Sequence, residues 1–266
     1  MLGAIVGDVV GSVYEFDNIK TKDFPLFSDN SFFTDDTVMT LVVAKALTDK
    51  TDFAETMVSV GRKYPYCGYG GHFSKWILGE NHLPYNSFGN GAAMRISPVA
   101  YVSDSDISVK DTARKATEVS HNHPWGIKGA EAVAMAIKTA RNFSKRYVVD
   151  CMRKYYPIME SANFTCDNIR KDYGFDETCQ GTVPQAFQCF VESTGFEDAL
   201  RLAISLGGDS DTLAAITCSV AGEYYGIPAW IAEQTYARLD SNLRDILDKF
   251  EKTYRNGRTP SKAEGV

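Results

Sequence analysis

Apolar residues recur every three or four positions along most of the chain, a spacing that places them on one face of an α-helix. The pattern predicts helices over residues 35–48, 52–63, 108–120, 126–143, 196–206, 211–225, 229–236 and 242–254. The sequence shows no series of strands joined by hairpin turns and no alternation of strand and helix. We therefore predict an all-α fold in a single domain over residues 1–254, with a frayed polar tail over residues 255–266.

Three segments are apolar nearly all round, and these cover residues 2–13, 38–47 and 213–225. A helix without a polar face belongs in the core, and the small residues of these segments allow close packing. Acidic residues stand at one end of each segment: Glu15 after the first, Asp35 and Asp36 before the second, Asp209 and Asp211 before the third. Three central helices can therefore bring carboxylates together at their ends.

The two aspartate motifs, residues 34–37 (TDDT) and 207–212 (GGDSDT), can be interpreted in two ways. Ser, Thr and Asp at a helix start commonly cap the first turn. Each motif, however, has more carboxylates than a cap needs, and no Lys or Arg lies inside either one. Buried like charges repel unless they are protonated or bind cations, and oxygen ligands suit hard divalent ions. The motifs thus favour a two-metal site with ions ~3.5–4 Å apart.

Charge and cysteine content narrow the function classes. The net charge of −6 and the pI near 5.3 argue against stable nucleic-acid binding. No run of about 18 apolar residues is present, which excludes a membrane span at the sequence level. Six cysteines without a CxxC pair indicate reduced thiols, so we expect a cytoplasmic protein.

Four motifs, in this order and spacing, resemble those of the ADP-ribosylglycohydrolase family, the ADP-ribosylhydrolases of the dinitrogenase-reductase-activating glycohydrolase type. They are residues 3–11 (GAIVGDVVG) followed by Glu15, 34–37 (TDDT), 89–95 (GNGAAMR) and 207–212 (GGDSDT). The resemblance extends from residue 3 to about residue 225 and so covers most of the chain.

The resemblance implies an all-α fold around a binuclear Mg²⁺ or Mn²⁺ centre. The implied ligands are Thr34, Asp35, Asp36, Asp209, Asp211 and Thr212, with Glu15 near the metals on a mobile segment. The implied reaction is hydrolysis of the bond between C1″ of ADP-ribose and a modified acceptor, either a protein side chain or a nucleobase. The residues themselves fit this chemistry, and Glu15, Asp35 and Asp36 are all candidates for the general base.

The family match also implies a set of substrate-binding residues, namely Gly89, Asn90, Gly91, Met94, Arg95 and His121. Taken alone, Gly89-Asn90-Gly91 is a turn signature. In the family context it is a ribose-phosphate loop, where glycine permits close approach of pyrophosphate to backbone N–H groups. Arg95 is expected either to pair with a phosphate or to brace the acidic site, and His121 is expected to line the ADP-ribose cleft.

Several neighbouring residues carry weaker expectations. Asp8 is predicted to be a structural acid that bonds backbone groups, and His123 to cap or pack. Trp125 is expected to pack in the core rather than to stack on adenine. Residues 64–82 are expected to form either a cleft wall or an ordinary loop, and residues 17–29 a loop that acts as a lid.

The acceptor and two alternative functions stay open. Arginine-linkage family members tend to have an acid shortly before the Asn-Gly pair, and residues 85–88 (YNSF) lack one. This argues against arginine as the acceptor without deciding among arginine, serine, other O-linked acceptors and a nucleobase. The alternatives are a hydrolase of small derivatives such as O-acetyl-ADP-ribose and a non-catalytic ADP-ribose-binding protein, although the latter would be expected to lose some of the acids. We expect a monomer that acts on an ADP-ribosylated macromolecule.

Overall fold

Fourteen α-helices form the regular structure of residues 1–255, the part of the chain that the computed structural model describes. They are α1 (Leu2–Gly11), α2 (Asp35–Asp49), α3 (Phe53–Gly61), α4 (Gly71–Leu78), α5 (Gly91–Met94), α6 (Asp106–Glu118), α7 (Pro124–Asn142), α8 (Lys145–Tyr155), α9 (Cys166–Asp172), α10 (Cys179–Glu192), α11 (Phe196–Ser205), α12 (Ser210–Tyr225), α13 (Ala229–Ala237) and α14 (Ser241–Tyr254). Over these residues the only β-type pairing is one isolated bridge between Gly89 and Thr178. The all-α prediction is confirmed.

The eight helices predicted from apolar spacing are all present, with ends within two residues of the prediction. The prediction missed α4, α5, α8, α9 and α10. In α10 the reason is Pro184, which lies inside the helix although proline usually ends one. A proline there removes one hydrogen bond of the helix, and the nine buried residues of α10 stabilise it through packing instead.

The helices α1 and α12 form the centre of the fold, and both are buried along nearly their whole length. Glycine recurs at every fourth position of α1, on the face turned to α12. A Cβ atom at Gly7 would lie 2.2 Å from the backbone of Ala214, and one at Gly11 would lie 2.5 Å from the Cα of Asp211. Only glycine therefore lets the two backbones touch. Gly3 lies beside Cys218, so the helices run antiparallel and the end of α1 meets the start of α12.

The predicted central position of the second apolar segment, residues 38–47, is also confirmed. In α2, ten residues between Asp36 and Ala46 are buried, and the helix packs against both α1 and α12.

None of the helices found in residues 1–255 is long and apolar enough to cross a membrane. At the other end of the chain, Arg255 pairs with Glu223 and Glu251, and the rest of the predicted tail lies outside the described residues.

Candidate active site

The five predicted carboxylates meet in one pocket because three helix ends converge there. Glu15 follows α1, Asp35 and Asp36 begin α2, and Asp209 and Asp211 stand at the start of α12. All five line a cavity of about 240 Å³. The sequence prediction that these acids lie together is therefore confirmed.

Side-chain oxygens of the acids and threonines lie at short range. Carboxylate oxygens of Glu15, Asp209 and Asp211 are all within 4.8 Å of one another. The Thr212 hydroxyl donates to Asp36 Oδ2 at 3.0 Å. Asp36 Oδ1 is buried and has no hydrogen-bond partner within residues 1–255. An oxygen-rich cluster with an unpartnered buried carboxylate oxygen is a suitable binding site for a cation.

Helix capping explains only part of this arrangement. The Thr34 side chain does cap α2, since it accepts a hydrogen bond from the Asp36 N–H. Asp209 is the first residue before α12, yet its side chain makes no capping hydrogen bond. Asp8 accepts hydrogen bonds from the N–H groups of Thr34 and Thr37, so its predicted structural role is confirmed. The caps of α2 are thus supplied by Thr34 and Asp8, which leaves the two aspartates of that motif to line the pocket.

A turn with a left-handed backbone sets the position of Asp209. Gly207 and Gly208 have φ angles of +73° and +71°, which favour glycine because a Cβ would be strained there. The Asn18 side chain bridges this turn, accepting from the Gly208 N–H at 2.6 Å and donating to the Gly208 carbonyl at 2.9 Å. It also donates to the Glu15 carbonyl at 2.9 Å, so one amide ties the Glu15 segment to the Asp209 turn.

Asn90 was predicted as a substrate-binding residue, and its side chain makes a contact that the sequence did not reveal. The Asn90 amide donates to Asp209 Oδ2 at 2.6 Å and to the Thr182 hydroxyl at 3.1 Å. The loop that contains Asn90 is thereby fixed to the second acidic motif.

The electrostatics of the cluster are strongly unfavourable to five ionised groups. Burial raises the pKa of Asp35, Asp36 and Asp211 well above the usual range, and the neighbouring carboxylates raise it further. Burial and the charges of Asp209 and Asp8 raise the pKa of Glu15 to about 7. Across the described residues, no ion pair reaches any of these five groups. Bound cations would offset this charge, and the all-oxygen donor set suits hard divalent ions.

All six predicted substrate-binding residues line the same pocket: Gly89, Asn90, Gly91, Met94, Arg95 and His121. Glycine keeps the space in front of His121 open, because a Cβ at Gly91 would lie 3.4 Å from His121 Nε2. Burial and the nearby Arg95 charge lower the pKa of His121 well below its usual value, so the imidazole is neutral at pH 7. Contact of these residues with substrate stays a prediction.

Arg95 is fully buried and does not brace the acids. Its guanidinium donates to the Ala116 carbonyl at 3.3 Å and to the Ser120 hydroxyl at 2.9 Å, at the end of α6. The expectation that Arg95 braces the acidic site is therefore wrong, because the hydrogen bonds that it makes in the described part of the chain go to residues 116–120 and none goes to an acid. Its Nε atom is buried without a partner in the described part of the chain. Pairing with a phosphate stays a prediction.

The remaining walls of the pocket come from segments whose sequence gave only a weak indication of a functional role, or none. Residues 64–82 do form a cleft wall, through Gly68, Gly70, Gly71, His72 and Phe73. Tyr85, Ser87 and Glu177 also line the pocket and were not predicted as site residues. Nothing in the sequence marked Glu177, because it lies between two helices that the prediction missed.

The expectations for His123 and Trp125 had different outcomes. His123 Nδ1 accepts from the Trp125 N–H and caps α7, as predicted. The expectation that Trp125 packs in the core is wrong. Its side chain is 40% exposed, and the Lys128 ammonium lies 4.4 Å from its ring centre.

Comparison with known proteins agrees with the geometry. The family model described as ADP-ribosylglycohydrolase matches residues 1–260. Human ADP-ribosylhydrolase ARH3 is 24% identical over 306 aligned residues, covering 85% of this chain and 84% of that protein. ADP-ribosylarginine hydrolase Tri1 of Pseudomonas putida (strain GB-1) is also 24% identical, covering 94% of this chain and 77% of that protein. A solved structure, an ADP-ribosylglycohydrolase-related protein complex, has a similar fold, with a TM-score of 0.70 and 22% identity over 95% of this chain and 97% of that one.

Proposed function

Because the chain belongs to the ADP-ribosylglycohydrolase family, we propose that it is a metal-dependent hydrolase that releases ADP-ribose from a modified acceptor. The bond cleaved joins C1″ of the distal ribose to the acceptor, a protein side chain or a nucleobase. The observation that carries the proposal is the single pocket in which five carboxylates face the Gly89–Gly91 loop.

The metal ligands in this proposal are Thr34, Asp35, Asp36, Asp209, Asp211 and Thr212, which would hold two Mg²⁺ or Mn²⁺ ions. The buried and unpartnered Asp36 Oδ1 is one available donor. When bound, the ions supply positive charge that offsets the carboxylates and polarises a water and the vicinal ribose hydroxyls. Asn90 and Thr212 orient Asp209 and Asp36 toward that role through hydrogen bonds of 2.6 and 3.0 Å.

In this proposal ADP-ribose lies in the pocket with its distal ribose toward the acids and its ADP part toward the glycine loop. The distal ribose lies at the acidic end, and the ADP part extends toward Gly89, Gly91 and His121. The gap in front of His121, which the two glycines keep free of side chains, admits the phosphates close to the backbone.

Proton transfer uses carboxylates of the pocket. Glu15, Asp35 or Asp36 accepts the proton of the attacking water, as a general base. The remaining negative charge stabilises the positive charge that develops at C1″ as the bond to the acceptor breaks. Burial of these groups strengthens both effects, because charge interactions are stronger where water is excluded.

The test is release of free ADP-ribose from a panel of arginine-, serine-, threonine- and nucleobase-linked substrates, each with Mg²⁺, Mn²⁺ or EDTA. We expect release from at least one substrate and its loss in EDTA. Release that persists in EDTA would contradict the metal role. Release from O-acetyl-ADP-ribose alone would indicate a small-molecule hydrolase, and binding of ADP-ribose without any release would indicate a binding protein.

A further inference from the structure

Two phenylalanine rings are exposed beside the acidic end of the pocket. Phe16 directly follows Glu15 and is 85% exposed, and Phe175 is 49% exposed. Their ring centres are 6.1 Å apart and their planes differ by 20°, so the rings are stacked. They form a continuous apolar surface next to charged groups, which is a common feature of binding surfaces.

Both rings are carried by backbone that is anchored to the Gly207–Gly208 turn. Asn18 ties the Glu15 carbonyl, and with it the start of Phe16, to Gly208. On the other side, the Gly174 carbonyl packs against Gly208, where a Cβ would lie only 2.6 Å away. The turn leads directly to Asp209, so the backbone that carries the rings is held next to the acids.

The role of the two phenylalanine rings follows from the direction in which ADP-ribose lies in the pocket, and this step rests on the proposed function. If C1″ lies among the carboxylates and the ADP part extends toward Gly91, the acceptor leaves the pocket on the side of Glu15. Phe16 adjoins Glu15 in the chain, and Phe175 stacks on Phe16. The two rings therefore lie where the acceptor emerges.

The charge around the rings is negative. Glu15 and Glu177 line the pocket next to them, and Asp17 is exposed directly after Phe16. Lys20, in the same segment as Phe16, donates its ammonium to the backbone carbonyls of Tyr173 and Leu206. An aromatic face beside carboxylates favours a planar cation, and guanidinium both stacks on rings and pairs with carboxylates.

We propose that Phe16, Phe175 and Glu177 form an acceptor-recognition platform and that the acceptor is the guanidinium group of an arginine side chain. Residues 85–88 lack an acid, but Glu177 brings a carboxylate to this loop, since its carbonyl accepts from the Asn90 N–H at 2.7 Å. In the reaction the water oxygen bonds to C1″, and the C1″–N bond breaks with its electron pair on nitrogen. That nitrogen takes up a proton in place of the one the water loses, giving ADP-ribose and free arginine.

The experiment compares kcat/KM for an ADP-ribosylarginine peptide with kcat/KM for O-acetyl-ADP-ribose, whose acetyl group carries no positive charge. We expect Phe16→Ala and Phe175→Ala each to lower the ratio of the two values about fivefold, mainly through KM of the peptide. Phe175→Leu should lose as much as Phe175→Ala, because leucine keeps the apolar surface and removes the π face. Glu177→Gln should lower the ratio in the same direction.

Phe143→Ala is the matched control, since Phe143 is 54% exposed and its ring centre lies 5.7 Å from that of Tyr147, outside the acidic pocket. It should leave the ratio unchanged. Release from serine-linked but not arginine-linked substrate would overturn the platform proposal and leave the hydrolase proposal standing, as would equal losses for both substrates in the Phe variants. No release from any substrate would overturn both.

Discussion

The two ends of the α1–α12 pair both bury carboxylates, and they compensate them in opposite ways. At one end, Glu223 of α12 lies 3.7 Å from the Met1 ammonium, 3.3 Å from Arg255 and 4.0 Å from Arg141. Burial alone would raise the pKa of Glu223, but these positive charges hold it below its usual value. The protein supplies its own cations at this end.

At the other end, the charges that act on Asp35, Asp36 and Asp211 are those of further acids. The pKa of Asp36 is raised by burial and then by Asp8, Asp35 and Asp209. The same helix pair thus makes a closed ion cluster at one end and an uncompensated one at the other. Under the proposed function, bound cations supply the missing positive charge at the acidic end, whereas the Glu223 end serves the fold.

The largest expected effect is that of Asp211→Ala. We expect kcat/KM to fall at least about a thousandfold and cation binding to be lost, since a central carboxylate of the cluster is removed. The Tm of the metal-free protein should not fall, because one of several repelling charges is gone. Activity assays, calorimetric titration and circular dichroism measure the three quantities.

The matched control for Asp211→Ala is Asp240→Ala, which removes an aspartate that does cap a helix, α14. It should cost about 1 kcal/mol of unfolding free energy and leave activity unchanged. If Asp211→Ala behaves like this control, capping explains the acidic motif and the metal account is wrong.

Glu223→Gln tests the opposite end of the pair. The Met1 ammonium and the two arginines would lose their carboxylate, so we expect unfolding free energy to fall by about 3 kcal/mol. The activity of the folded fraction should stay constant, because Glu223 is outside the pocket. Urea unfolding together with an activity assay tests this. An unchanged unfolding midpoint would show that the Glu223 ion cluster does not stabilise the fold, and the two ends of the helix pair would then not differ as described.

Asn90→Ala tests whether the side chains around the acidic end of the α1–α12 pair hold its carboxylates in place for a cation. Asp209 would lose its 2.6 Å donor, and we expect cation affinity to weaken about tenfold. Titration with Mn²⁺ measures the change, with Asn163→Ala as control, since Asn163 is exposed and outside the pocket. Equal affinity in the wild type and Asn90→Ala would show that this hydrogen bond does not position the ligand.

The smallest expected effect is a pH dependence. Carboxyls whose pKa is raised in the folded state contribute stability below their unfolded pKa and lose it as pH rises through the folded value, which is about 7 for Glu15. The Tm of EDTA-treated protein should therefore decrease between about pH 5 and pH 8, and Mg²⁺ should reduce the decrease. Burial lowers the pKa of the Met1 ammonium to about 6. This group alone would make the Tm rise with pH, and it does so equally with and without Mg²⁺. Identical slopes with and without Mg²⁺ would contradict the account.

Sequence patterns predicted the features that depend on local spacing. Apolar periodicity located the central helices, and the acids at their ends indicated the pocket. Features that depend on tertiary packing were not predictable in this way. Pro184 is tolerated because α10 is buried, Arg95 turns to the end of α6, and Glu177 reaches the pocket from a connection without a pattern of its own.

The most direct test of the central claim is calorimetric titration of metal-free protein with Mn²⁺, followed by thermal unfolding of the same samples. The account predicts binding of two ions per chain and a higher Tm, with both effects absent in Asp211→Ala and present in Asp240→Ala. No binding at millimolar Mn²⁺ and an unchanged Tm would contradict it, because the buried carboxylates would then have to be compensated by protons alone.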